Sequence, residues 1–137
     1  MSRRALAIVP VLTAVLTGCG GEAADLVTVA RTGDLPAAEL TLRVNDGGFA
    51  FCNGAEDGRR IPDQDLLEVR AAVTDLEEVA AEGLRLAPGP KSLLRYEAEM
   101  PEGTVAFADT SRRQPKATYE LAALTRRIAK GTCGLPR

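Results

Sequence analysis

The chain has 137 residues, 45% of them apolar and 26% charged, which is the composition of one folded domain rather than of a disordered segment. It contains no histidine, and this excludes the commonest general base, the commonest metal ligand and every histidine-containing catalytic triad. The formal net charge of −2 gives no sign of a nucleic-acid-binding protein, so no nucleic-acid partner is expected.

The N-terminal residues have the pattern of an export signal. Arg3 and Arg4 precede an apolar stretch over residues 5–16, which is too short to span a hydrocarbon core of ~30 Å and is typical of a signal peptide. The stretch ends in Leu16-Thr17-Gly18-Cys19, which resembles the lipobox of bacterial lipoproteins. The resemblance implies that residues 1–18 are removed and that acyl chains on Cys19 hold the protein on the extracytoplasmic side of the cell membrane. An ordinary secretory signal is the alternative.

Three cysteines are present, and lipidation of Cys19 would leave Cys52 and Cys133. In an exported chain an even pair indicates one disulfide. The bond would close a loop of about 80 residues and stabilise the fold by ~4 kcal/mol on the chain-entropy model. Two free thiols or a metal-binding pair are the alternatives, and no CxxC spacing suggests redox chemistry.

Residues 26–137 are expected to form a single domain, which a tether over residues 19–25 joins to the membrane. Fully extended, this tether reaches only ~20 Å, so the domain should lie close to the bilayer. In chain order the pattern predicts a strand at Leu26–Arg31, a loop opened by Gly33-Asp34 and extended by Pro36, a strand at Leu40–Val44, a turn at Asn45–Gly48 and a returning strand at Phe49–Cys52.

Two helices and a second pair of strands follow. The first helix has an apolar stripe and ends at Gly83, with Asp65 and Glu68 at capping-box spacing and Asp63 as an alternative cap. Strands are predicted at Ser92–Met100 and Gly103–Asp109, and a last helix from Pro115 to about Lys130. The two apolar stripes are Leu66, Val69, Val73, Leu76 and Ala80, then Ala117, Leu121, Leu124 and Ile128. This order predicts an α+β domain with two helices packed on one face of a mainly antiparallel sheet.

No catalytic constellation is apparent, so we expect a protein that is not an enzyme. GxSxG, SxxK and HExxH motifs are absent. Acidic pairs at Asp63/Asp65, Glu77/Glu78 and Glu97/Glu99 invite a metal-binding interpretation, but further ligands at recognisable spacing are missing. We therefore expect surface carboxylates, and neither a metal nor another cofactor.

Two segments could take part in interactions. From Ser111 onward the chain holds seven basic residues and one acidic residue, Glu120. This basic C-terminal segment could face anionic lipid, bind a partner, or form a solvated helix face that pairs with the acidic first helix. Phe49 and Phe51 could form an exposed recognition tip, but we expect both to point into the core and Ala50 to point the other way.

A further resemblance concerns the start of the mature domain. Val27-Thr28-Val29-Ala30-Arg31-Thr32-Gly33 and the element order that follows are similar to emfourin-type inhibitors of thermolysin-like metalloproteases, which open with a strand ending in an Arg-Ser/Thr-Gly-Gly turn. Here Asp34 replaces the second glycine, and the cysteine pair and one hairpin are additional. The resemblance implies an inhibitor, although no inhibitory residue is carried over from the family. Thr32, Gly33 and Asp34 are the candidate interaction turn. More generally, the sequence predicts a lipid-anchored, non-enzymatic binding module with an envelope or secreted protein partner.

Overall fold

The computed structural model describes residues 20–136, so the predicted signal peptide and the lipidation site at Cys19 lie outside the described residues. The described chain forms β1 (Asp25–Gly33), β2 (Leu40–Asn45), β3 (Phe49–Cys52), β4 (Arg59–Arg60), α1 (Asp63–Ala81), β5 (Leu94–Met100), β6 (Gly103–Ala108) and α2 (Lys116–Gly131). The strands form one antiparallel sheet in the order β4-β3-β2-β1-β5-β6. The predicted α+β fold is confirmed.

The core lies between one face of the sheet, here called the inner face, and the two helices. Alternate residues of β1, β2, β5 and β6 point to this face because side chains alternate along a strand. Both predicted helix stripes are buried there, except that Leu66 is only half-buried. The largest fully buried side chains are Leu42, Leu76, Leu121 and Ile128, with Val27, Val29, Val44, Val69 and Val105.

The sheet has two ends that matter for function. At the first, the tether end, residues 20–24 enter β1, and the Ala24 carbonyl accepts a hydrogen bond from Asp46 N at 2.8 Å. At the second, the loop end, β1 finishes at Gly33 and the loop of residues 34–39 begins. Because β1 has nine residues, the two ends are about 30 Å apart.

The helices divide between these ends. α1 is fixed near the tether end, where Arg70 Nε donates to Asp46 at 2.7 Å. Its last turn lies against the β5–β6 turn, since a Cβ on Gly103 would come within 2.1 Å of the Ala80 carbonyl oxygen. α2 begins beside the loop end of β6, where Gln114 Nε2 donates to the Ala108 carbonyl at 3.3 Å.

The disulfide is confirmed. Cys52 and Cys133 are bonded, with Cα atoms 6.1 Å apart and a sequence separation of 81 residues. The bond joins the end of β3 to the chain after α2. Arg59 reinforces the same junction by donating to the carbonyl oxygens of Thr132 and Cys133 at 3.2 and 3.4 Å.

The β2–β3 hairpin differs from the prediction in the faces that its side chains occupy. Ala50 is fully buried in the core, whereas Phe49 remains 37% exposed. Phe51 lies on the outer face of the sheet, where the Arg43 guanidinium carbon is 3.7 Å from its ring centroid. The expectation that both phenylalanines enter the core is therefore wrong. The register explains it: Ala50 pairs with the buried Val44, so its neighbours in β3 must point outward.

The start of α1 also differs from the prediction. Its N-cap is Pro62, with no side-chain cap hydrogen bond, so neither Asp63 nor Asp65 caps the helix. Asp65 instead accepts a hydrogen bond from Arg127 Nε of α2 at 2.8 Å, and Glu68 also pairs with Arg127. The hydrogen bond from Arg127, supplemented by one from Gln64, lowers the pKa of Glu68. The carboxylates at capping-box spacing therefore tie the two helices together.

Candidate functional site

The loop between β1 and β2 starts one strand position later than the sequence suggested. Thr32 and Gly33 lie within β1 and pair with β5, so only Asp34 of the predicted interaction turn belongs to the loop. A Cβ on Gly33 would come within 2.1 Å of the Leu93 carbonyl oxygen, and Asp34 N donates to that oxygen at 3.0 Å. The missing side chain of Gly33 lets β5 approach closely enough to extend the strand.

The loop of residues 34–39 protrudes from the loop end. Asp34, Pro36, Ala37 and Glu39 are exposed, and Ala38 is buried. Ala37 has a φ of 59°, a left-handed conformation that is uncommon for a residue with a Cβ. Such a conformation persists only where surrounding contacts enforce it.

Arg31 supplies those contacts. Its side chain is 3% exposed on the inner face of β1. Nε donates to the Ala38 carbonyl at 2.8 Å, and a terminal guanidinium nitrogen donates to the Ala37 carbonyl at 3.1 Å. The guanidinium therefore holds the loop from beneath. The sequence carried a signal for this role, because Val27, Val29 and Arg31 share one face at the two-residue period of a strand.

The segment behind the loop is fixed by Asp109. Its carboxylate accepts hydrogen bonds from Ser92 Oγ at 2.7 Å and from the amides of Leu93 and Leu94 at 3.1 and 3.2 Å. Burial acts to raise the pKa of Asp109, but these hydrogen bonds outweigh it and lower the pKa on balance. The carboxylate thus stabilises the backbone against which Gly33 packs.

A cavity of about 350 Å³, here called the loop-end pocket, lies between this loop and the C-terminal half of α2. Arg126 and Lys130 stand four positions apart on α2 and so share one helix face. Burial raises the pKa of Tyr96 beneath them, and the positive charges of Arg31 and Arg126 oppose that rise. The described lining residues are Arg31, Leu35, Pro36, Ala37, Ala38, Leu94, Arg126, Lys130 and Pro136, with no carboxylate among them.

Two cavities on the outer face of the sheet differ from the loop-end pocket in charge. One, of about 400 Å³, contains Arg85 and Glu97, which form a salt bridge at 3.4 Å. The other, of about 330 Å³, contains Arg43, which pairs with Asp25 at 2.8 Å. Within the described residues, Arg85 and Arg43 are therefore paired with carboxylates of the chain itself, whereas Arg95 in the first cavity forms no salt bridge there.

The structure brings together part of what the sequence singled out. Of the basic C-terminal segment, Arg126 and Lys130 line the pocket together with the loop of residues 34–39. Arg127 instead forms a hydrogen bond with Asp65 of α1, and Lys116 pairs with Glu120. The acidic pairs remain apart from this site. Across residues 20–136, no group of three or more Cys, Asp or Glu side chains is placed to hold a metal ion. Neither α1 nor α2 combines the length and the hydropathy that a membrane-spanning helix requires.

The pocket offers positive charge and apolar surface beside a fixed loop. Its described lining contains no nucleophile next to a base. This arrangement can bind a group that carries negative charge and apolar surface. No family model, curated protein or solved structure matches the chain, so the lipobox and the emfourin-like pattern stay predictions from the sequence.

Proposed function

We propose that this chain is a lipid-anchored, non-enzymatic binding module that presents its loop end to a protein partner outside the membrane. The observation that carries the proposal is the placement of the tether and the loop at opposite ends of β1. With acyl chains on Cys19, the tether end would face the bilayer. The loop of residues 34–39 and the loop-end pocket would then face away from the bilayer.

The short chain before β1 supports this orientation. Arg43 pairs with Asp25, the first residue of β1, at 2.8 Å and with Glu22, which precedes the strand, at 3.4 Å, so the chain entering β1 is held against the sheet. Little slack is left between Cys19 and the domain. The Cys52–Cys133 disulfide is consistent with an oxidising, extracytoplasmic compartment.

The two helices differ in charge, and the basic helix contributes to the loop-end pocket. α1, near the tether end, carries six carboxylates and one arginine, whereas α2 carries four cations and one carboxylate. The basic side chains Arg126 and Lys130 lie beside the loop, away from the proposed membrane surface. If the tether end faces the bilayer, these cations are available to a protein partner rather than to lipid.

The anchoring part is tested by expressing the full chain in a bacterium and comparing it with the Cys19→Ser variant. We expect the wild type in the membrane fraction, with an intact mass showing cleavage before Cys19 and added acyl chains. The variant, which lacks the acceptor thiol, should carry no acyl mass. An unacylated wild-type chain in the soluble fraction would contradict the proposal.

The second candidate function is inhibition of a secreted thermolysin-like metalloprotease. The observation that favours it is the fixation of the loop by Arg31, since a loop held in one conformation loses little entropy on binding. The test is dose-dependent inhibition of thermolysin by the oxidised protein, with intact mass recorded throughout. Asp34→Ala at the loop should weaken inhibition, whereas Glu102→Ala at the tether end should not. An intact protein that does not inhibit refutes this alternative.

A further inference from the structure

The loop-end pocket combines features that together specify a class of ligand. We propose that it binds the C-terminal carboxylate of a peptide whose last side chain is apolar. This inference deepens the binding function proposed above and rests on it.

The first feature is positive charge that the described chain does not neutralise. Arg126 and Lys130 are exposed, and neither forms a salt bridge within residues 20–136, although Arg127 and Lys116 on the same helix both do. Arg31 at the back of the pocket is already engaged with the loop carbonyls of Ala37 and Ala38, so the feature consists of Arg126 and Lys130. A carboxylate between Arg126 and Lys130 would gain charge-assisted hydrogen bonds and reduce the repulsion between these two cations.

The second feature is the apolar remainder of the lining. Leu35, Leu94 and Pro136, together with the loop residues Pro36, Ala37 and Ala38, supply the other walls. A phosphate or sulfate ion would leave these walls uncovered, whereas a terminal residue with an apolar side chain would cover them while its carboxylate meets the cations. Capture of a terminal carboxylate is an established mode of peptide recognition.

The third feature is size. The cavity of about 350 Å³ is near the lower end of the range of ligand sites, and it opens to solvent beside the exposed loop. That space suits one terminal residue better than a whole cofactor. The rest of a bound peptide would run across the loop of residues 34–39.

The test uses the protein purified from membranes in detergent and two matched probes. These are the peptide acetyl-Gly-Ser-Ala-Leu with a free carboxylate and the same peptide with an amidated C-terminus. Backbone chemical shifts are followed during titration. We expect saturable shifts at Ala37, Ala38 and Lys130 with the acid, and binding of the amide that is at least about tenfold weaker.

Matched variants separate the pocket from general basicity. Arg126→Gln and Lys130→Gln should each weaken binding of the acid by about three- to tenfold. Lys116→Gln, on the same helix but outside the pocket, should leave it unchanged. Equal binding of acid and amide overturns the proposal, as does equal weakening by Lys116→Gln. The same shifts produced by inorganic phosphate or by vesicles containing phosphatidylglycerol would show simple anion or lipid binding and also overturn it.

The outcome is distinguishable from failure of the proposed function. If Cys19 is acylated and the loop contacts a protein but the peptide does not bind, only the ligand class is wrong. If the peptide binds but Cys19 carries no lipid, the pocket stands and the anchored module does not.

Discussion

Replacing Arg31 with methionine tests whether the guanidinium holds the β1–β2 loop. Methionine keeps a long apolar stem but removes the donors to the carbonyls of Ala37 and Ala38. Hydrogen bonds to a charged group contribute ~1.5–3 kcal/mol each, so the two bonds are worth about 3–6 kcal/mol. Part of this is offset because methionine has no charge to desolvate on burial. We therefore expect the free energy of unfolding to fall by about 2 kcal/mol.

The assay combines urea denaturation with hydrogen exchange. The Ala38 amide, which donates to Leu35 O at 3.1 Å, should exchange faster in Arg31→Met because the loop is released. Arg31→Lys keeps the charge but not the planar fork and should give an intermediate loss. Arg95→Met, at an exposed position on β5, is the matched control and should stay within ~0.5 kcal/mol of wild type. Wild-type stability and unchanged Ala38 exchange in Arg31→Met would refute the reasoning.

Three further predictions concern stability. Gly33→Ala should lower the free energy of unfolding by about 3 kcal/mol, because the new Cβ meets a backbone carbonyl oxygen that has no room to move. Gly131→Ala, where the added Cβ meets open space, should leave the free energy of unfolding unchanged or raise it. Urea denaturation of both variants checks this. Removing the disulfide with Cys52→Ala and Cys133→Ala should cost about 4 kcal/mol, and a melting temperature within ~3 °C of wild type would count against it. Because the pKa of Asp109 is lowered, its contribution to stability is present above the usual carboxyl pKa of ~3.9 and is lost as the pH falls through the folded-state pKa. Asp109→Asn should therefore be less stable than wild type at pH 7, and its free energy of unfolding should fall less steeply as the pH is lowered. An unchanged acid dependence would contradict the assignment.

The element order and both buried helix stripes could be predicted from the sequence because each depends on local periodicity. Val69, Val73 and Leu76 recur at helical spacing, and the structure buries all three. The turn signal at Asn45–Gly48 also depends only on neighbours, and the hairpin forms there with Gly48 at a φ of 83°. The disulfide followed from the number of cysteines rather than from any pattern around them.

The features that the sequence did not reveal depend on contacts between distant segments. The outward orientation of Phe51 follows from the register with β2, which a short apolar run does not specify. Pairing with β5 places Thr32 and Gly33 in the sheet. Asp65 does not cap α1 because it accepts a hydrogen bond from Arg127, 62 residues away in the sequence. The loop-end pocket likewise joins residues of β1 and α2. Only the burial of Arg31 carried a local signal.

The central claim is that the loop end faces a protein and the tether end faces the bilayer. It is tested most directly by placing a photoreactive amino acid at Glu39, in the loop, or at Glu78, on α1, and irradiating intact cells. Both positions are exposed glutamates, so the substitutions are matched. The account predicts protein adducts from position 39 and lipid adducts or none from position 78. Protein adducts from position 78 alone would contradict it.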